Sequence, residues 1–505
     1  MRLVLETPTQ LYIHDLEGPR LKEVQTNLTY RDKKVQYEIQ RLKNSRWFNP
    51  ENDGAKLEAL KAKLNVCLLE QDIHNEHHTL SGMRAYLESK YQIPTEIRVQ
   101  YPDSVSIPWF KVPEKKPYPY QVQAKEKLLE ARHARVEMGT GLGKSFIILN
   151  LVKDLGLKTV VMAPSQNIAE QLYKDFLEHF GKKYVGQFFD GKKDYKKLFV
   201  IGTGQSLTRV DPESPVGQEL AKVKVFVADE SHQCPAATLA KVCTGVLQNA
   251  PYRFFFSATQ MRNDGLDLLL DAITGPTVYE MTVREGVDQG YLAKPVFRMI
   301  RTRSDKFYDT PDANEMTREH LYYNPLVLMQ AAEVINQSVE TLGHQVLVLI
   351  DEVEQFTRML PYLKHRAQFA HGPLQPCACQ QDSTVTRHNG NACKVPKEYR
   401  DVDNGDLVKR FNACEFPILF GTSAVSTGTD IRSCKTMVYL KGGKSEIEVR
   451  QGVGRCTRLM KEIGKIACTI VDFDVENVDT LHRHAVARRK IFDDIYGPVD
   501  MIDWR

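Results

Sequence analysis

Short apolar runs recur between residues 118 and 283, and each ends in a loop rich in glycine, serine or threonine. These runs are RVEMG, KTVVMAP, KLFVIGT, KVFVADE and RFFFSAT, with helix-like stretches between them. A second block repeats the alternation with QVLVLID, FPILFGTS, KTMVYLKGG and KIACTIVDF. Such alternation is typical of parallel sheets with crossover helices, where binding sites lie beyond the carboxyl ends of the strands. The sequence therefore predicts an α/β fold with two such units in tandem.

Residues 1–105 follow a different pattern. They predict a small α+β module. The strand-like segments are RLVLE, QLYIHDL and the alternating VQYEIQRL, and two helical patterns lie around Leu57–Leu69 and Leu80–Tyr91. The proline-rich segment IPWFKVPEKKPYPYQ then favours extended backbone and marks a boundary. We expect four parts: an N-terminal accessory module at 1–105, an α/β unit at 106–283, a second at 284–476 with a polar insertion near 372–408, and a C-terminal helical tail at 477–505.

The composition is that of an ordinary globular protein, with 42% hydrophobic and 26% charged residues. The 505 residues are enough for roughly three domains at ~150 residues each. Because the formal net charge is only +4, any nucleic-acid site has to be a local patch. No apolar run reaches the ~18 residues of a membrane span, and the start MRLVLETPTQ lacks the pattern of a signal peptide. We therefore expect a cytoplasmic protein with no membrane partner.

The ten cysteines are scattered, which indicates reduced thiols rather than a disulfide framework. Cys377, Cys379 and Cys393 are gathered in a polar stretch with His371 and His388 nearby. These side chains could supply tetrahedral zinc ligands, but the C-x-C-x13-C spacing fits no common zinc knuckle. Thiols in a loop without metal are the favoured interpretation.

A glycine-rich segment follows the run RVEMG and precedes the helical pattern FIILNLVKDL. It consists of Gly139, Thr140, Gly141, Leu142, Gly143, Lys144 and Ser145. Glycines let successive N–H groups point at phosphate oxygens, and the following helix presents its positive end to the same anion. In such a loop Lys144 reaches the β- and γ-phosphates and the Ser145 hydroxyl ligates magnesium. The segment predicts a site for ATP and Mg²⁺, although Met138 stands where the strict pattern has glycine. The later GGKS at 442–445 lacks this spacing and predicts a plain loop.

Two adjacent carboxylates, Asp229 and Glu230, end the apolar run VKVFVADE. At the end of a buried strand such a pair has separate tasks. Asp229 is expected to hold the magnesium shell, and Glu230 to polarise the attacking water for in-line transfer. Acidic pairs are common on protein surfaces, and it is the preceding apolar run and the following Ser231-His232 that make this one specific.

The segment Asp229-Glu230-Ser231-His232 is a DExH box, and the chain resembles superfamily 2 helicases across about residues 118–475. The resemblance implies two tandem RecA-like domains behind the small N-terminal module. It also implies nucleotide contacts by Gln121, Gly428 and Asp430, contacts to the nucleic-acid backbone by Pro164, Ser165, Thr203, Gly204, Gln205, Thr422 and Ser423, and coupling of the nucleotide state to strand movement by His232, Ser257, Ala258 and Thr259.

The segment from Gln451 to Arg458 matches the helicase pattern Q-x-x-G-R-x-x-R. A nucleotide between two domains needs cations from the far side to stabilise charge on the transferring phosphoryl group. Arg455 and Arg458 are the candidates, with Gln451 beside them in the catalytic set. Three residues apart on a helix, the two arginines are expected to share one face. We expect ATP to draw the two α/β domains together and hydrolysis to let them part.

Contacts to the backbone carry little base information, so weak sequence preference and strong salt dependence are expected. The N-terminal segment TYRDKKVQYEIQRLKNSRW is the candidate source of specificity, as a nucleic-acid contact or else as a plain solvated face. Its basic and aromatic residues are Tyr30, Arg31, Lys33, Lys34, Arg41, Lys43, Arg46 and Trp47.

More narrowly, a compact two-domain motor with a small N-terminal module resembles UvsW-type phage helicases. This implies a DNA helicase or translocase that remodels forks and recombination junctions in the host cytoplasm. It further implies a monomer, with branched or single-stranded DNA and replication or recombination proteins as partners. Two alternatives stay open: an RNA helicase, because the DExH box does not distinguish DNA from RNA, and an ATP-gated clamp or annealing protein that does not travel.

Overall fold

The computed structural model describes residues 1–45, 48–113, 116–258, 267–306, 308–377, 390–422 and 431–504. Some residues singled out from the sequence lie outside these ranges: Arg46, Trp47, Thr259, Cys379, His388, Ser423, Gly428 and Asp430. The chain divides into two compact units. The first comprises Met1–Met138 and Gly143–Glu280, and the second comprises Gly139–Leu142 and Met281–Arg505.

The N-terminal module of the first unit is a small mixed sheet with helices. Its elements in chain order are β1 (Arg2–Leu5), β2 (Gln10–His14), α1 (Gly18–Asn27), β3 (Thr29–Arg31), α2 (Lys33–Lys43), α3 (Pro50–Leu64), β4 (Asn65–Cys67), β5 (Glu70–Gln71), β6 (His77–Leu80), α4 (Arg84–Tyr91) and β7 (Thr95–Ile97). The sheet order is β5-β6-β2-β1-β7, and β3 pairs with β4 separately. Leu3 and Leu5 of β1 lie opposite Ile13 and Leu11 of β2, and all four are buried. Burial alternates along β2, whereas Val4 is buried as well in β1, so β1 is covered on both faces.

The rest of the first unit is an α/β layer structure. Its elements are α5 (Pro119–Ala131), β8 (His133–Met138), α6 (Lys144–Leu155), β9 (Thr159–Ala163), α7 (Gln166–Phe180), β10 (Val185–Phe188), β11 (Phe199–Thr203), α8 (Gly204–Leu207), α9 (Pro215–Leu220), β12 (Val225–Ala228), α10 (Ala236–Thr244), β13 (Tyr252–Ser257), α11 (Asp267–Thr274) and β14 (Thr277–Met281). The sheet order is β10-β11-β9-β12-β13-β8-β14. Neighbouring strands from β10 through to β8 are parallel.

Four strands of this sheet, β9, β10, β11 and β12, are buried at every position. Continuous burial is expected for parallel strands covered on both faces, and it explains why apolar residues dominate the sequences of β9, β11 and β12. The loops that follow β8, β9, β11 and β12 all leave from the same edge of the sheet. This edge carries the glycine-rich segment, the DExH box and the candidate backbone-contact loops.

The second unit contains another sheet of seven strands among the described residues. Its elements are α12 (Val283–Asp288), β15 (Lys294–Thr302), α13 (Ala313–Thr317), α14 (Pro325–Glu340), β16 (Gln345–Leu349), α15 (Val353–Met359), β17 (Ala367–Ala370), α16 (Asn404–Asn412), β18 (Ile418–Gly421), β19 (Cys434–Tyr439), α17 (Glu446–Cys456), β20 (Ala467–Val475), α18 (Asp479–Tyr496) and β21 (Val499–Asp503). The order is β17-β18-β16-β19-β20-β15-β21, and every neighbouring pair is parallel.

The predicted fold class, two α/β units with parallel sheets behind a small α+β module, is confirmed. The predicted C-terminal helical tail differs in detail, because α18 is followed by β21, which pairs in parallel with β15 of the second sheet. Among the helices of the described ranges, none is both long enough and apolar enough to span a membrane.

Gly82 joins the N-terminal module to α11. A Cβ added at Gly82 would lie 2.4 Å from the carbonyl oxygen of Ala272 and 2.5 Å from that of Asp271. Both obstacles are backbone, so they cannot move aside as a side chain would. We expect Gly82→Ala to lower the free energy of unfolding by about 1–3 kcal/mol, the usual cost of forcing an extra group into a packed contact.

The matched control is Gly54→Ala in α3, where a Cβ meets nothing within 4 Å. Alanine there is expected to raise stability by about 0.5–1 kcal/mol, because glycine is a poor helix former. Chemical denaturation of both variants checks the pair. Equal unfolding midpoints for the two variants would contradict the close packing at Gly82.

Candidate functional site

The glycine-rich loop turns the chain from β8 into α6. Gly141 and Gly143 have φ values of +94° and +76°, which side chains rarely tolerate. Gly143 is the N-cap residue of α6 and makes no side-chain cap. The first N–H groups of a twelve-residue helix therefore face the loop with the positive end of the helix dipole behind them. Such a loop suits the binding of a phosphate group.

Lys144, the first residue of α6, lies almost buried against the end of β12. Its side chain is 7% exposed, and its Nζ donates a hydrogen bond to the Met138 carbonyl oxygen at 3.1 Å. The same Nζ lies 3.2 Å from Glu230 Oε1. The loop lysine and the second carboxylate of the DExH box, 86 positions apart in the sequence, are therefore direct neighbours.

Asp229 follows β12 directly and is 4% exposed. Burial and the nearby charge of Glu230 raise the pKa of Asp229 to about 7, against the opposing effect of the Lys144 ammonium. A cation placed beside such a buried acid favours the ionised carboxylate and so offsets the effect of burial. This is the electrostatic setting expected of a ligand for the metal of a metal–nucleotide complex.

Glu230 occupies a left-handed backbone conformation with φ of +44°. One carboxylate oxygen, Oε1, contacts Lys144, and the other, Oε2, lies 3.4 Å from His232 Nδ1. Oε2 is buried and accepts no hydrogen bond from the residues that the structure describes. A buried acceptor of this kind is suited to hold a water molecule and to accept a proton from it.

His232 connects Glu230 to the end of β13. The Ser257 Oγ lies 3.0 Å from His232 Nδ1, and the Ser231 Oγ donates to the Phe256 carbonyl oxygen at 3.2 Å. Lys144, Glu230, His232 and Ser257 thus form one chain of polar contacts across three strands. Ala258 follows Ser257 directly, and its partner in the predicted coupling segment, Thr259, lies outside the described residues.

Gln121 lies at the other side of the glycine-rich loop. It is 6% exposed, and its Oε1 accepts a hydrogen bond from the Tyr118 backbone N–H at 2.9 Å. A Cβ on Gly143 would lie 2.6 Å from Gln121 Nε2. The sequence assigned Gln121 to the nucleotide, and the structure brings it to the loop that would hold the phosphates.

The residues of this edge fit a magnesium nucleotide. Gly143 leaves no room for a side chain, Glu230 Oε2 is a buried acceptor, and Asp229 is a buried acid. Ser145, the second residue of α6, is half-buried and supplies a hydroxyl at the start of the helix. Hydroxyl and carboxylate oxygens are the ligands that Mg²⁺ prefers.

The candidate backbone-contact loops of the first unit lie side by side. Ala163, at the end of β9, is opposite Thr203, at the end of β11, so Pro164 and Ser165 leave the sheet next to Gly204 and Gln205. Thr203 Oγ1 accepts a hydrogen bond from the Ser206 backbone N–H at 3.3 Å and so caps α8. Gln205 is exposed. Adjacent loops of this kind can follow one strand of nucleic acid.

In the second unit, Thr422 follows β18 and donates its backbone N–H to the Ala370 carbonyl oxygen at 3.3 Å. Gln451 and Arg455 lie on α17, and Arg455 is only 5% exposed. The prediction that Arg455 and Arg458 share a helix face was wrong. Helix α17 ends at Cys456, and Arg458 lies beyond it in an antiparallel bridge with Leu292.

The sequence did not predict how the loop before α17 is held. The Tyr322 hydroxyl accepts a hydrogen bond from the Gly442 N–H at 3.1 Å, and Arg488 of α18 donates to the Gly443 carbonyl oxygen at 2.9 Å. Arg488 also pairs with Asp472 at 2.7 Å, and both are almost completely buried. The GGKS segment is thus a braced loop that fixes the start of the arginine-bearing helix, consistent with the loop predicted there.

Of the five candidate zinc ligands, the structure describes Cys377, Cys393 and His371. Both ring nitrogens of His371 lie within 2.8 Å of carbonyl oxygens, those of Gly372 and Tyr399. In the described part of the chain, no group of three or more His, Cys, Asp or Glu side chains is arranged to hold a metal. Cys379 and His388 are not among the residues that this covers.

Two family models match the chain, one in each α/β unit. The model described as "Type III restriction enzyme, res subunit" matches residues 114–262, and the "Helicase conserved C-terminal domain" matches residues 330–460. Together they cover more than half of the chain. The first match contains the glycine-rich loop and the DExH box, and the second contains the arginine-bearing helix α17.

Curated relatives are similar over parts of their length. The chain is 25% identical to "DNA 3'-5' translocase XPB2" of Sulfurisphaera tokodaii over 225 residues, which cover 44% of this chain and 49% of that protein. It is 23% identical to "Type I restriction enzyme EcoAI endonuclease subunit" of Escherichia coli over 403 residues, covering 71% and 46%. The chain therefore spans about half the length of these relatives.

Solved structures share the fold. A fragment of a putative HsdR subunit of a type I restriction enzyme from Vibrio vulnificus aligns with a TM-score of 0.51 at 18% identity, covering 77% of this chain and 70% of that one. This supports the assignment of two tandem RecA-like domains. The crystal structure of T4 UvsW aligns over 100% of this chain and 99% of that one at 14% identity, with a TM-score of 0.43.

Proposed function

The chain belongs to the superfamily 2 helicases, and from that membership we propose that it is an ATP-dependent DNA helicase or translocase that remodels branched DNA. Membership of this family supports the general activity, which is ATP-driven movement on nucleic acid. One observation supports the assignment of the ATP site most directly, namely the 3.2 Å contact between Lys144 Nζ and Glu230 Oε1. This contact places the lysine of the glycine-rich loop, which is suited to bind phosphate, beside Glu230, which is suited to hold the attacking water.

The proposed roles follow from these positions. Lys144 binds the β- and γ-phosphates when the nucleotide displaces its present partner, Glu230. Gln121, beside the loop, contacts the base. When bound through the Ser145 hydroxyl and Asp229, Mg²⁺ supplies positive charge to the phosphate oxygens. Glu230 then orients a water molecule at Oε2 and accepts its proton.

Arg455 and Arg458 supply further positive charge to the phosphoryl group in the transition state. Their positions impose different roles. Arg455 is nearly buried in α17 and therefore holds a fixed orientation. Arg458 lies beyond the end of the helix and is half-buried. The helix therefore does not fix the direction of its side chain. Gln451 lies one turn before Arg455 on α17 and completes this set.

The contacts from Glu230 to His232 to Ser257 link nucleotide chemistry to the end of β13. When Lys144 leaves Glu230, the electrostatic field at His232 changes. His232 contacts Ser257 Oγ at 3.0 Å, so its response can shift Ser257. We expect this path to couple hydrolysis to movement of the strand held by the loops after β9 and β11. Those loops offer hydroxyl, amide and backbone groups, which recognise phosphates rather than bases.

Unwinding assays on matched substrates test the proposal. The panel comprises a DNA fork, a four-way junction, a tailed DNA duplex and an RNA duplex of the same sequence, each with ATP or a non-hydrolysable analogue. We expect displacement only with hydrolysable ATP, faster on branched DNA than on the tailed duplex, and faster on DNA than on RNA. Faster displacement of RNA would favour the RNA helicase. Junction binding without displacement would favour the ATP-gated clamp or annealing protein.

The proposal includes a monomer that works in the cytoplasm with replication and recombination proteins. Sedimentation of the protein with and without a DNA fork tests the first part. A single species of monomer mass that binds one fork is expected. A dimer in both conditions would contradict it.

A further inference from the structure

Three pairs of adjacent lysines lie between α7 and β11 in the first unit. They are Lys182-Lys183, Lys192-Lys193 and Lys196-Lys197. All are exposed except Lys197, which is half-buried. The direction of the strands separates them: the first pair precedes β10 and the third precedes β11, at the amino ends of these strands, whereas the second pair follows the carboxyl end of β10.

The second pair is carried on a tight turn, the double-lysine turn (residues 189–193). The Lys192 backbone N–H donates to the Phe189 carbonyl oxygen at 3.1 Å, and the two residues between them, Asp190 and Gly191, have φ values of +55° and +72°. Positive φ at both central positions defines a type I′ turn, for which Asp-Gly is a preferred sequence. The backbone conformation of the turn is therefore set by its own residues.

The chain after the turn is anchored to the sheet. The Asp194 backbone N–H donates to the Gln187 carbonyl oxygen at 2.9 Å, and Tyr195 packs against the buried core under β9, β11 and β12. A Cβ on Gly186 would lie 2.0 Å from the Asp194 carbonyl oxygen, so the returning chain lies directly on β10. The turn is thus presented at a fixed place rather than on a long loose loop.

This place is the edge of the sheet that holds the candidate backbone-contact loops. Strand β10 is parallel to its neighbour β11, which is parallel to β9, so the double-lysine turn lies in line with the loops that begin at Gly204 and Pro164. Neighbouring strands are ~4.8 Å apart, so three adjacent loops span ~10 Å. That distance corresponds to a few nucleotides of one strand, since a duplex strand advances ~3.4 Å along its axis per phosphate.

The charges at the turn are available for a ligand. Asp190 and Asp194 flank the two lysines, yet no ion pair engages either ammonium group within the part of the chain that the structure describes. Ammonium groups are point charges that bind phosphate oxygens without reading bases.

We propose that Lys192 and Lys193 bind phosphates of the nucleic-acid strand that crosses the loops after β11 and β9, so that the contact surface extends to β10. The inference rests on the proposed function, since it requires a strand at this edge. It adds two lysines to the candidate backbone-contact residues of the loops after β9 and β11. The other lysine pairs, at the opposite edge, make no such contact.

The test compares two double variants with equal loss of charge. Lys192→Ala with Lys193→Ala removes the proposed contacts, and Lys182→Ala with Lys183→Ala removes two exposed lysines from the amino end of the same strand. The dissociation constant for a fluorescent single-stranded DNA is measured for each protein between about 50 and 200 mM salt, the range over which phosphate contacts dominate the salt response. Hydrolysis of ATP without DNA is measured in parallel.

For two phosphate contacts to a single strand, we expect the slope of log affinity against log salt to become shallower by about 1.4 in the 192/193 variant. The 182/183 variant is expected to keep the wild-type slope, and both variants to keep the wild-type rate of DNA-independent hydrolysis. An unchanged slope in the 192/193 variant, or the same change in both variants, overturns the inference. If the wild-type protein binds no DNA, the proposed function fails and the inference with it, whereas strong wild-type binding with equal slopes overturns the inference alone.

Discussion

Replacing Arg455 by alanine is expected to lower the rate of ATP hydrolysis by about 10³–10⁵. The transferring phosphoryl group spreads negative charge over its oxygens, and a fixed guanidinium stabilises that charge more in the transition state than in the ground state. Arg455 is suited to this task because it is only 5% exposed and sits within α17. Single-turnover hydrolysis at saturating ATP and DNA measures the effect.

Two further variants separate this role from a general loss of charge or fold. Arg450→Ala removes an arginine from the same helix, where it pairs with Glu446 and Asp494, and should hydrolyse ATP at nearly the wild-type rate. Arg455→Lys keeps the charge but loses the planar fork, so an intermediate rate is expected. If Arg455→Ala unfolds at the wild-type midpoint and hydrolyses ATP at the wild-type rate, the assignment is wrong.

Replacing Glu230 by glutamine is expected to lower hydrolysis by about 10²–10⁴, which is the range that general acid–base catalysis contributes. Glutamine has nearly the same shape but cannot accept the proton of the attacking water at Oε2. ATP binding should persist or improve, because Lys144 loses its ion pair with Oε1 and becomes available to the phosphates. Equilibrium binding of a fluorescent ATP analogue and steady-state hydrolysis measure the two effects separately.

The matched control is Glu213→Gln, which alters an exposed carboxylate outside this site in the same unit. It should leave both binding and hydrolysis unchanged. Loss of ATP binding in Glu230→Gln, with hydrolysis falling only in proportion, would assign Glu230 to binding and not to the attacking water.

The parts of the fold that were predicted from the sequence are those with a strong local pattern. The apolar runs of β9, β11 and β12 predicted buried strands, and these strands are buried at every position. β10, with the sequence VGQF, was missed because a glycine and a glutamine interrupt its apolar pattern. β21, with the sequence VDMID, was missed because an edge strand with alternating charges resembles a polar tail.

The site shows the same division. Glycines at positive φ, a helix N-terminus and an acidic pair after a buried strand are local features, and each was predicted from the sequence. The end of α17 before Arg458 depends on a bridge with Leu292, which is distant in the sequence. The buried pair of Arg488 and Asp472 was also missed, because charged residues are mostly exposed and their sequence does not reveal a buried partner.

The central claim is that this chain hydrolyses ATP at the loop of Lys144 and uses the energy on nucleic acid. The most direct measurement is the steady-state rate of ATP hydrolysis by the wild-type protein and by Lys144→Ala, each with and without a DNA fork. The account predicts hydrolysis that DNA stimulates in the wild-type protein and background rates in Lys144→Ala under both conditions. Hydrolysis at the full wild-type rate in Lys144→Ala would contradict it.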